Sequence, residues 1–337
     1  MGKDEEILSA YAQSMESEEQ EVPRTRGKRQ PADVSPAAEN AAPRPSGRPE
    51  SLARTKEVPV DRSGNLVYRD NLGYAKIPVD TLPTGGLFYP EGTEILIRAA
   101  RGEEIKHWST MNDQDLNALS AVDDILNYII EKCVAFKVPG KPTANWKDLK
   151  DIDRMYLLMA VREYTFPDGN NELKVPLSEG KDMTVRKEMI DFIKIPDEIA
   201  KFYSSEERCF VLNLKNGRTF RMHIPSLGAS IWLKNYAQAK ANAREQFDQD
   251  FIMFAPLLIS DFRRLSQRAY EEMVSESHGW NVTEWSVLSK VRDMLTASAE
   301  PKFKYTDDNG QEVQIPLTFR GGIKAIFTLS DPLSALC

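Results

Sequence analysis

The prolines of this 337-residue chain are concentrated near its beginning, and this constrains the fold more than any other feature of the sequence. Seven of the 20 prolines lie in the first 65 residues: Pro23, Pro31, Pro36, Pro43, Pro45, Pro49 and Pro59. Because proline has no backbone N–H to donate, it interrupts both helices and sheets. The apolar residues between 22 and 57 are mostly Ala and Val, whose burial is too small to offset the lost chain entropy. We therefore expect residues 1–65 to form a disordered tail.

One short part of this tail has a helical pattern. Four apolar residues fall on one face of a helix over residues 4–16: Ile7, Leu8, Tyr11 and Met15. Acidic residues occupy its first turn, where the helix dipole favours anions. An amphipathic helix ahead of a linker is typical of a docking peptide, so we predict that these four side chains contact a partner. The alternative is an unbound, frayed segment.

The charge and hydropathy of the chain disfavour nucleic-acid and membrane partners. The formal net charge is -7, and the basic cluster at 24–29 directly follows acidic residues at 16–21, so their fields largely cancel. The longest apolar run, residues 251–259, is nine residues long and contains Pro256, whereas a membrane-spanning helix needs roughly 20. The first residues also lack the pattern of a secretory signal.

No pattern in the sequence indicates catalysis, a cofactor or a metal. The three cysteines and three histidines are scattered along the chain: Cys133, Cys209, Cys337, His107, His223 and His278. None of these has the spacing of a metal-ligand or redox motif. Phosphate-binding, dinucleotide-binding and nucleophile-elbow motifs are absent from the sequence as well. We therefore expect a protein that is not an enzyme and that needs no cofactor or metal.

Beyond the tail, the patterns predict an α+β fold of mainly helical modules with small antiparallel β-hairpin elements. Four segments follow one another: a strand-plus-helix module at 66–165, a β-rich segment at 166–225, a helical module at 226–300, and a C-terminal hairpin and strand at 301–337.

Short local motifs predict where some of these helices and hairpins lie. Met155–Val161 is apolar all round and predicts a buried central helix. Asn216-Gly217 and Asp308-Asn309-Gly310 each separate two apolar segments and predict hairpins. Asn281 and Glu284 have the spacing of a capping box at the start of a helix. The apolar residues 323–329 predict a last strand.

The segment Leu82–Pro90 stands out as a turn-rich crossing with aromatic residues. Its two adjacent glycines permit a left-handed backbone or a close backbone approach. Leu87 and Phe88 follow them and need a hydrophobic surface to contact. We expect this crossing to belong either to the core of the fold or to an interface.

Two stretches of the sequence resemble a known family. The first comprises Leu82-Pro83-Thr84-Gly85-Gly86-Leu87-Phe88-Tyr89-Pro90, then Glu94-Ile95-Leu96-Ile97-Arg98 and Gly102-Glu103-Glu104. The second comprises Asp153-Arg154-Met155-Tyr156-Leu157-Leu158 and Val161-Arg162-Glu163-Tyr164. These motifs resemble the baseplate hub protein family of T-even-type contractile-tailed bacteriophages, over about residues 76–225. Family members often carry cysteine pairs after the second motif, as in a zinc ribbon; this chain has none between Cys133 and Cys209.

The resemblance implies a late structural or assembly protein of the baseplate hub. Such a protein would be found in the tail baseplate of the virion and, during assembly, in the host cytoplasm. Its partners would be other phage baseplate or hub proteins, and a homo-oligomer is left open. Two alternatives stay open: a transient tail-assembly chaperone absent from the mature virion, and a phage nucleic-acid-handling protein that uses the basic linker.

The candidate interaction residues are those of the two motifs. We expect Leu87, Phe88 and Tyr89 to make the main contacts of the crossing, with Arg98 and Arg154 as charged partners. The alternative for each is a purely structural role inside the fold.

Overall fold

The structure, a computed structural model, describes most of the chain after residue 72. The described residues are 56–57, 73–111, 121–166, 173–177, 181–185, 189–192, 194–307, 309–319 and 322–327. The tail and its predicted helix at 4–16 lie outside them. Residues 52–337 form one unit of the chain.

The described part of the chain contains helices of 4 to 18 residues. They are α1 (Gly102–Thr110), α2 (Ala121–Cys133), α3 (Asp151–Thr165), α4 (Asp197–Ala200), α5 (Leu227–Asn242), α6 (Gln249–Phe254), α7 (Gln267–Ser277) and α8 (Val282–Ala299). Among them, no helix is both long enough and apolar enough to cross a membrane.

The strands form small sheets between these helices. They are β1 (Lys56–Glu57), β2 (Ala75–Ile77), β3 (Glu94–Ile97), β4 (Val134–Lys137), β5 (Leu173–Pro176), β6 (Asp182–Val185), β7 (Ile190–Asp191), β8 (Tyr203–Ser204), β9 (Cys209–Asn213), β10 (Thr219–Met222), β11 (Lys302–Thr306) and β12 (Glu312–Pro316). The sheet orders are β1-β2-β3-β4, β10-β9-β8, β12-β11-β7 and β5-β6. All these pairs are antiparallel except β1–β2. The predicted α+β class, mainly helical with small antiparallel hairpins, is confirmed.

Local sequence signals set several of these elements. Gly217 (φ 85°) and Gly310 (φ 77°) provide the left-handed residue in the two predicted hairpin turns, β9–β10 and β11–β12. At the start of α8, the Asn281 side chain accepts a hydrogen bond from the Glu284 N–H (3.0 Å), and the Glu284 carboxylate accepts one from the Asn281 N–H (2.8 Å). The predicted capping box is therefore confirmed.

One prediction for the strands is wrong, and one strand was not predicted. Residues 323–327, expected as part of a last strand, form a 3-10 helix that follows Gly322 (φ 73°). The three-residue period of that helix places Ile323 and Ile326 on one side. The strand that was not predicted is β4 (Val134–Lys137), which follows α2 directly. Apolar residues continue from the helix into the strand without turn residues, so the sequence shows no boundary there.

The apolar core consists of two clusters. The first apolar cluster includes β2, β3, β4, α2, most of α3 and the 3-10 helix at 323–327. The second apolar cluster includes β9, β10 and the packed faces of α5 to α8. Helix α3 is the central one: Leu157 and Leu158 are fully buried in the first cluster, whereas Ile152 lies in the second. The predicted central, buried helix is therefore confirmed.

Candidate interaction site at the crossing

The crossing is a series of tight turns between β2 and β3. Gly85 (φ 61°) and Gly86 (φ 74°) both have the left-handed backbone that favours glycine. At Gly86, a Cβ atom would also lie 3.0 Å from the carbonyl oxygen of Val79. The backbone of the crossing therefore passes so close to the preceding turn that a side chain at Gly86 would force a shift.

A single buried carboxylate ties the crossing to helix α3. The Asp153 carboxylate accepts three hydrogen bonds: from the Thr84 N–H (2.9 Å), the Thr84 hydroxyl (2.8 Å) and the Tyr89 hydroxyl (2.6 Å). The Tyr89 oxygen in turn accepts a hydrogen bond from the Lys150 N–H (2.9 Å). We call Thr84, Tyr89, Lys150 and Asp153 the Asp153 centre. It joins residues that are 61 to 69 positions apart in the sequence.

Burial dominates the electrostatics of the Asp153 centre. Asp153 has no exposed surface, and burial raises the pKa of its carboxyl to about 6, although the hydrogen bonds from Tyr89 and Thr84 act in the opposite direction. Burial and the Asp153 charge raise the pKa of Tyr89 well above its ordinary value. Burial lowers the pKa of Lys150 to about 8. The donors that surround Asp153 fix the geometry of the crossing, so we assign the centre a positioning role.

The side chains of the crossing point in different directions. Phe88 is buried in the second apolar cluster, with ring centroids 5.1 Å from Tyr203 and 5.3 Å from Phe210. Tyr89 is buried in the first apolar cluster, 5.6 Å from Phe136. Leu87 is different, because 49% of its surface is exposed. Its carbonyl oxygen accepts a hydrogen bond from the Tyr203 hydroxyl.

An open cavity of about 210 Å³ lies beside Leu87. Most of its lining is apolar, and besides Leu87 it includes Pro83, Ile195, Ala200 and Tyr203. We call these five residues the crossing surface. It combines an exposed apolar side chain with an adjacent apolar depression, which is how many protein–protein contact sites are built.

Arg98 lies in a separate structural cluster. Its guanidinium donates to both oxygens of Glu104, at 2.5 and 2.9 Å, and Glu104 also accepts from the Arg101 N–H (2.8 Å). The hydrogen bond from Arg98 lowers the pKa of Glu104 to about 2. The buried Cys133 thiol contacts the same carboxylate at 3.7 Å, and burial raises the pKa of Cys133 to about 12. This arrangement fixes the start of α1.

A network of ion pairs around Arg154 links α2, α3 and α5. The Arg154 guanidinium lies 2.8 Å from Asp123 on α2 and 3.2 Å from Asp151 on α3, and it donates to the Asn127 side chain (3.3 Å). Lys234 on α5 also pairs with Asp123. We call Asp123, Asn127, Asp151, Arg154 and Lys234 the Arg154 network.

The structure thus brings together some of the candidate residues and separates others. Leu87, Phe88 and Tyr89 share the crossing, but Arg98 and Arg154 contact neither the crossing surface nor each other through any hydrogen bond or ion pair described above. The tail residues Ile7, Leu8, Tyr11 and Met15 lie outside the described residues. Sequence reasoning missed Thr84 and the role of Asp153, which is fully buried among neutral donors.

In the part of the chain that the structure describes, no group of three or more His, Cys, Asp or Glu side chains is arranged to hold a metal ion. No protein-family model, no curated protein and no solved structure matches the chain.

Proposed function

We propose that this chain is a non-enzymatic structural or assembly component of the baseplate hub of a contractile phage tail, and that it acts through protein–protein interfaces. In this proposal its partners are other baseplate or hub proteins, and it resides in the tail baseplate after assembly in the host cytoplasm. The proposal rests on the motifs of the sequence and on how the fold uses them.

One observation supports the proposal above all. The two segments that resemble the hub family, the crossing and the start of α3, meet at the Asp153 centre. Residues far apart in the sequence thus form one packed unit with direct hydrogen bonds. Two motifs that match by chance would not be expected to meet in the fold. Motifs that belong to one structural unit would be.

The crossing surface is the part of this unit that a partner could contact. The side chains of Phe88 and Tyr89 are buried in the two clusters. Of these three neighbouring apolar side chains, that of Leu87 is the exposed one. We propose that Leu87 and the depression beside it contact a neighbouring hub protein. Because interfaces depend on a few well-packed apolar residues, a charge at Leu87 should weaken that contact strongly.

The test is tail assembly by a phage that encodes Leu87→Asp in this chain. Val282→Asp is the matched control, because Val282 is 82% exposed and lies on α8 outside the crossing surface. We expect normal folding of both variants and defective tails only with Leu87→Asp. Equal assembly of both would contradict the proposed interface.

Mass spectrometry of purified mature virions tests the assignment to the hub. A few copies of the chain per particle would support a virion component. Its absence from virions, together with a failure to form tails without it, would support the transient chaperone instead. Salt-dependent binding of the full chain to any DNA sequence would favour the nucleic-acid alternative, since phosphate contacts release counterions.

A further inference from the structure

A second apolar groove lies away from the crossing surface, with a volume of about 460 Å³. Helices α5, α6 and α8 supply most of its walls, and α3 adds Asp151 and Ile152. Helix α5 contributes the stripe Ser230, Leu233, Lys234 and Ala237, at helical spacing i, i+3, i+4 and i+7. Helix α8 contributes Arg292, Leu295 and Thr296, and α6 contributes Ile252 and Met253. A groove of this size is within the range of specific binding sites.

The groove has a buried floor and an exposed apolar edge. Leu233 and Leu295 are almost fully buried at its floor. Met253, by contrast, is 70% exposed although it lies on the same groove. A methionine side chain is flexible and polarizable, and it adapts to the shape of a partner. An exposed methionine beside a groove walled by helices suits an amphipathic helix that inserts its apolar face.

The lining of the groove contains two basic residues, Lys234 and Arg292, and one acidic residue, Asp151, which favours an acidic partner. Asp151, the acidic residue of the lining, already lies 3.2 Å from Arg154 in the Arg154 network. Arg292, on the opposite helix, pairs with Asp293, its neighbour in the sequence (2.8 Å). The guanidinium donates two hydrogen bonds to one oxygen of Asp293, but the Asp293 side chain is 63% exposed, and exposed pairs contribute little stability. A carboxylate of the partner can therefore replace Asp293 and accept two hydrogen bonds from the guanidinium.

We propose that this groove binds an amphipathic helix of another protein, one whose apolar side chains enter the groove and whose flanking carboxylate pairs with Arg292. This inference does not depend on the proposed function: it concerns a different surface, and its test needs no phage.

The test uses the full-length protein and two synthetic helical peptides of about 18 residues, which span about 27 Å. Both carry leucine at i, i+3, i+4 and i+7; one has glutamate and the other lysine on the flanks of that face. Fluorescence anisotropy gives the affinity of each. We expect the acidic peptide to bind at least about tenfold more tightly, a difference of about 1.4 kcal/mol. Hydrogen exchange should show protection on α5, α6 and α8.

Two matched pairs of variants locate the binding. Arg292→Glu should reverse the preference in favour of the basic peptide, whereas Arg268→Glu should not, because Arg268 lies outside the groove and pairs with Glu272 on α7. Met253→Asp should weaken both peptides at least about tenfold, and Val282→Asp should leave them unchanged.

Several results would overturn the proposal. These are no binding of the acidic peptide, equal binding of both peptides, or a preference that Arg292→Glu leaves unaltered. Self-association of the full chain that Met253→Asp abolishes would identify a second copy as the occupant. An affinity for the peptide that rises when residues 1–20 are deleted would identify the tail of the chain itself as the competing occupant.

Discussion

Replacing Asp153 by Asn tests the electrostatic argument for the centre that ties the crossing to α3. The substitution keeps the size of the side chain and removes its titration. It also places an amide N–H₂ beside groups that donate to the native carboxylate, which destabilises the fold at every pH. That constant cost does not affect the argument, because the prediction concerns how the difference between the two proteins changes with pH.

The magnitude follows from the pKa of Asp153. Burial raises it from its ordinary value of 3.8 to about 6 in the folded state. Between these two values folding takes up a proton, so the stability due to this group is fully present below pH 3.8 and is lost as the pH rises through about 6. A difference of one between the folded and unfolded pKa corresponds to about 1.4 kcal/mol. The contribution of Asp153 to the free energy of unfolding therefore changes by about 3 kcal/mol in total. The advantage of the native protein over Asp153→Asn should therefore decrease by about 2 kcal/mol between about pH 4 and about pH 7.

Urea unfolding of both proteins across this pH range, followed by tryptophan fluorescence, measures the difference in the free energy of unfolding. Glu207→Gln is a control of opposite sign, because a hydrogen bond from Arg221 lowers the pKa of Glu207. The stability due to Glu207 is present above its unfolded pKa and is lost as the pH falls, so the native advantage should increase with pH there. A flat or increasing difference for Asp153→Asn would mean that the donors outweigh burial, and the reasoning would be refuted.

Three further predictions concern the crossing, metals and the tail. Phe88→Ala should lower the free energy of unfolding by about 3–5 kcal/mol, because Phe88 is buried, and Leu87→Ala should cost much less, because Leu87 is half exposed; similar losses in urea unfolding would contradict this. Elemental analysis should find less than one zinc per chain, and a chelator should leave the thermal midpoint unchanged; one tightly held zinc, lost together with the fold, would contradict this. Deleting residues 1–20 should leave the free energy of unfolding unchanged but reduce incorporation into the assembly in competition with full-length chain; equal incorporation would leave the segment without a docking role.

The elements that sequence could predict are those with local signals. The glycine turns of β9–β10 and β11–β12 and the capping box of α8 depend on residues within a few positions of one another. The apolar surface of α3 likewise follows from a single run of residues. By contrast, the 3-10 helix at 323–327 has the same apolar composition as a strand, and its packing decides between them: Phe327 contacts the distant Trp108, with ring centroids 5.2 Å apart.

The candidate site depends on contacts that no local pattern specifies. Asp153 receives its hydrogen bonds from residues more than 60 positions away, and Thr84 has nothing in its own surroundings to mark it as a donor. The available signal was an acidic residue two positions before the apolar run Met155–Val161. A carboxylate there must find donors from elsewhere in the fold, since burying it unpaired is too costly.

The neighbouring residues Phe88 and Tyr89 enter different apolar clusters, and this has a consequence for how the protein opens. Because Tyr89 packs in the first cluster and Phe88 in the second, loss of packing in either cluster should displace the crossing and withdraw an aromatic ring from the other. The two clusters should therefore unfold as a single cooperative unit rather than as independent ones. Their slowest-exchanging amide hydrogens, on α3 and on β9, should then report the same opening free energy in native-state hydrogen exchange. A substitution that loosens the crossing should lower the opening free energies of the α3 and β9 amides by equal amounts.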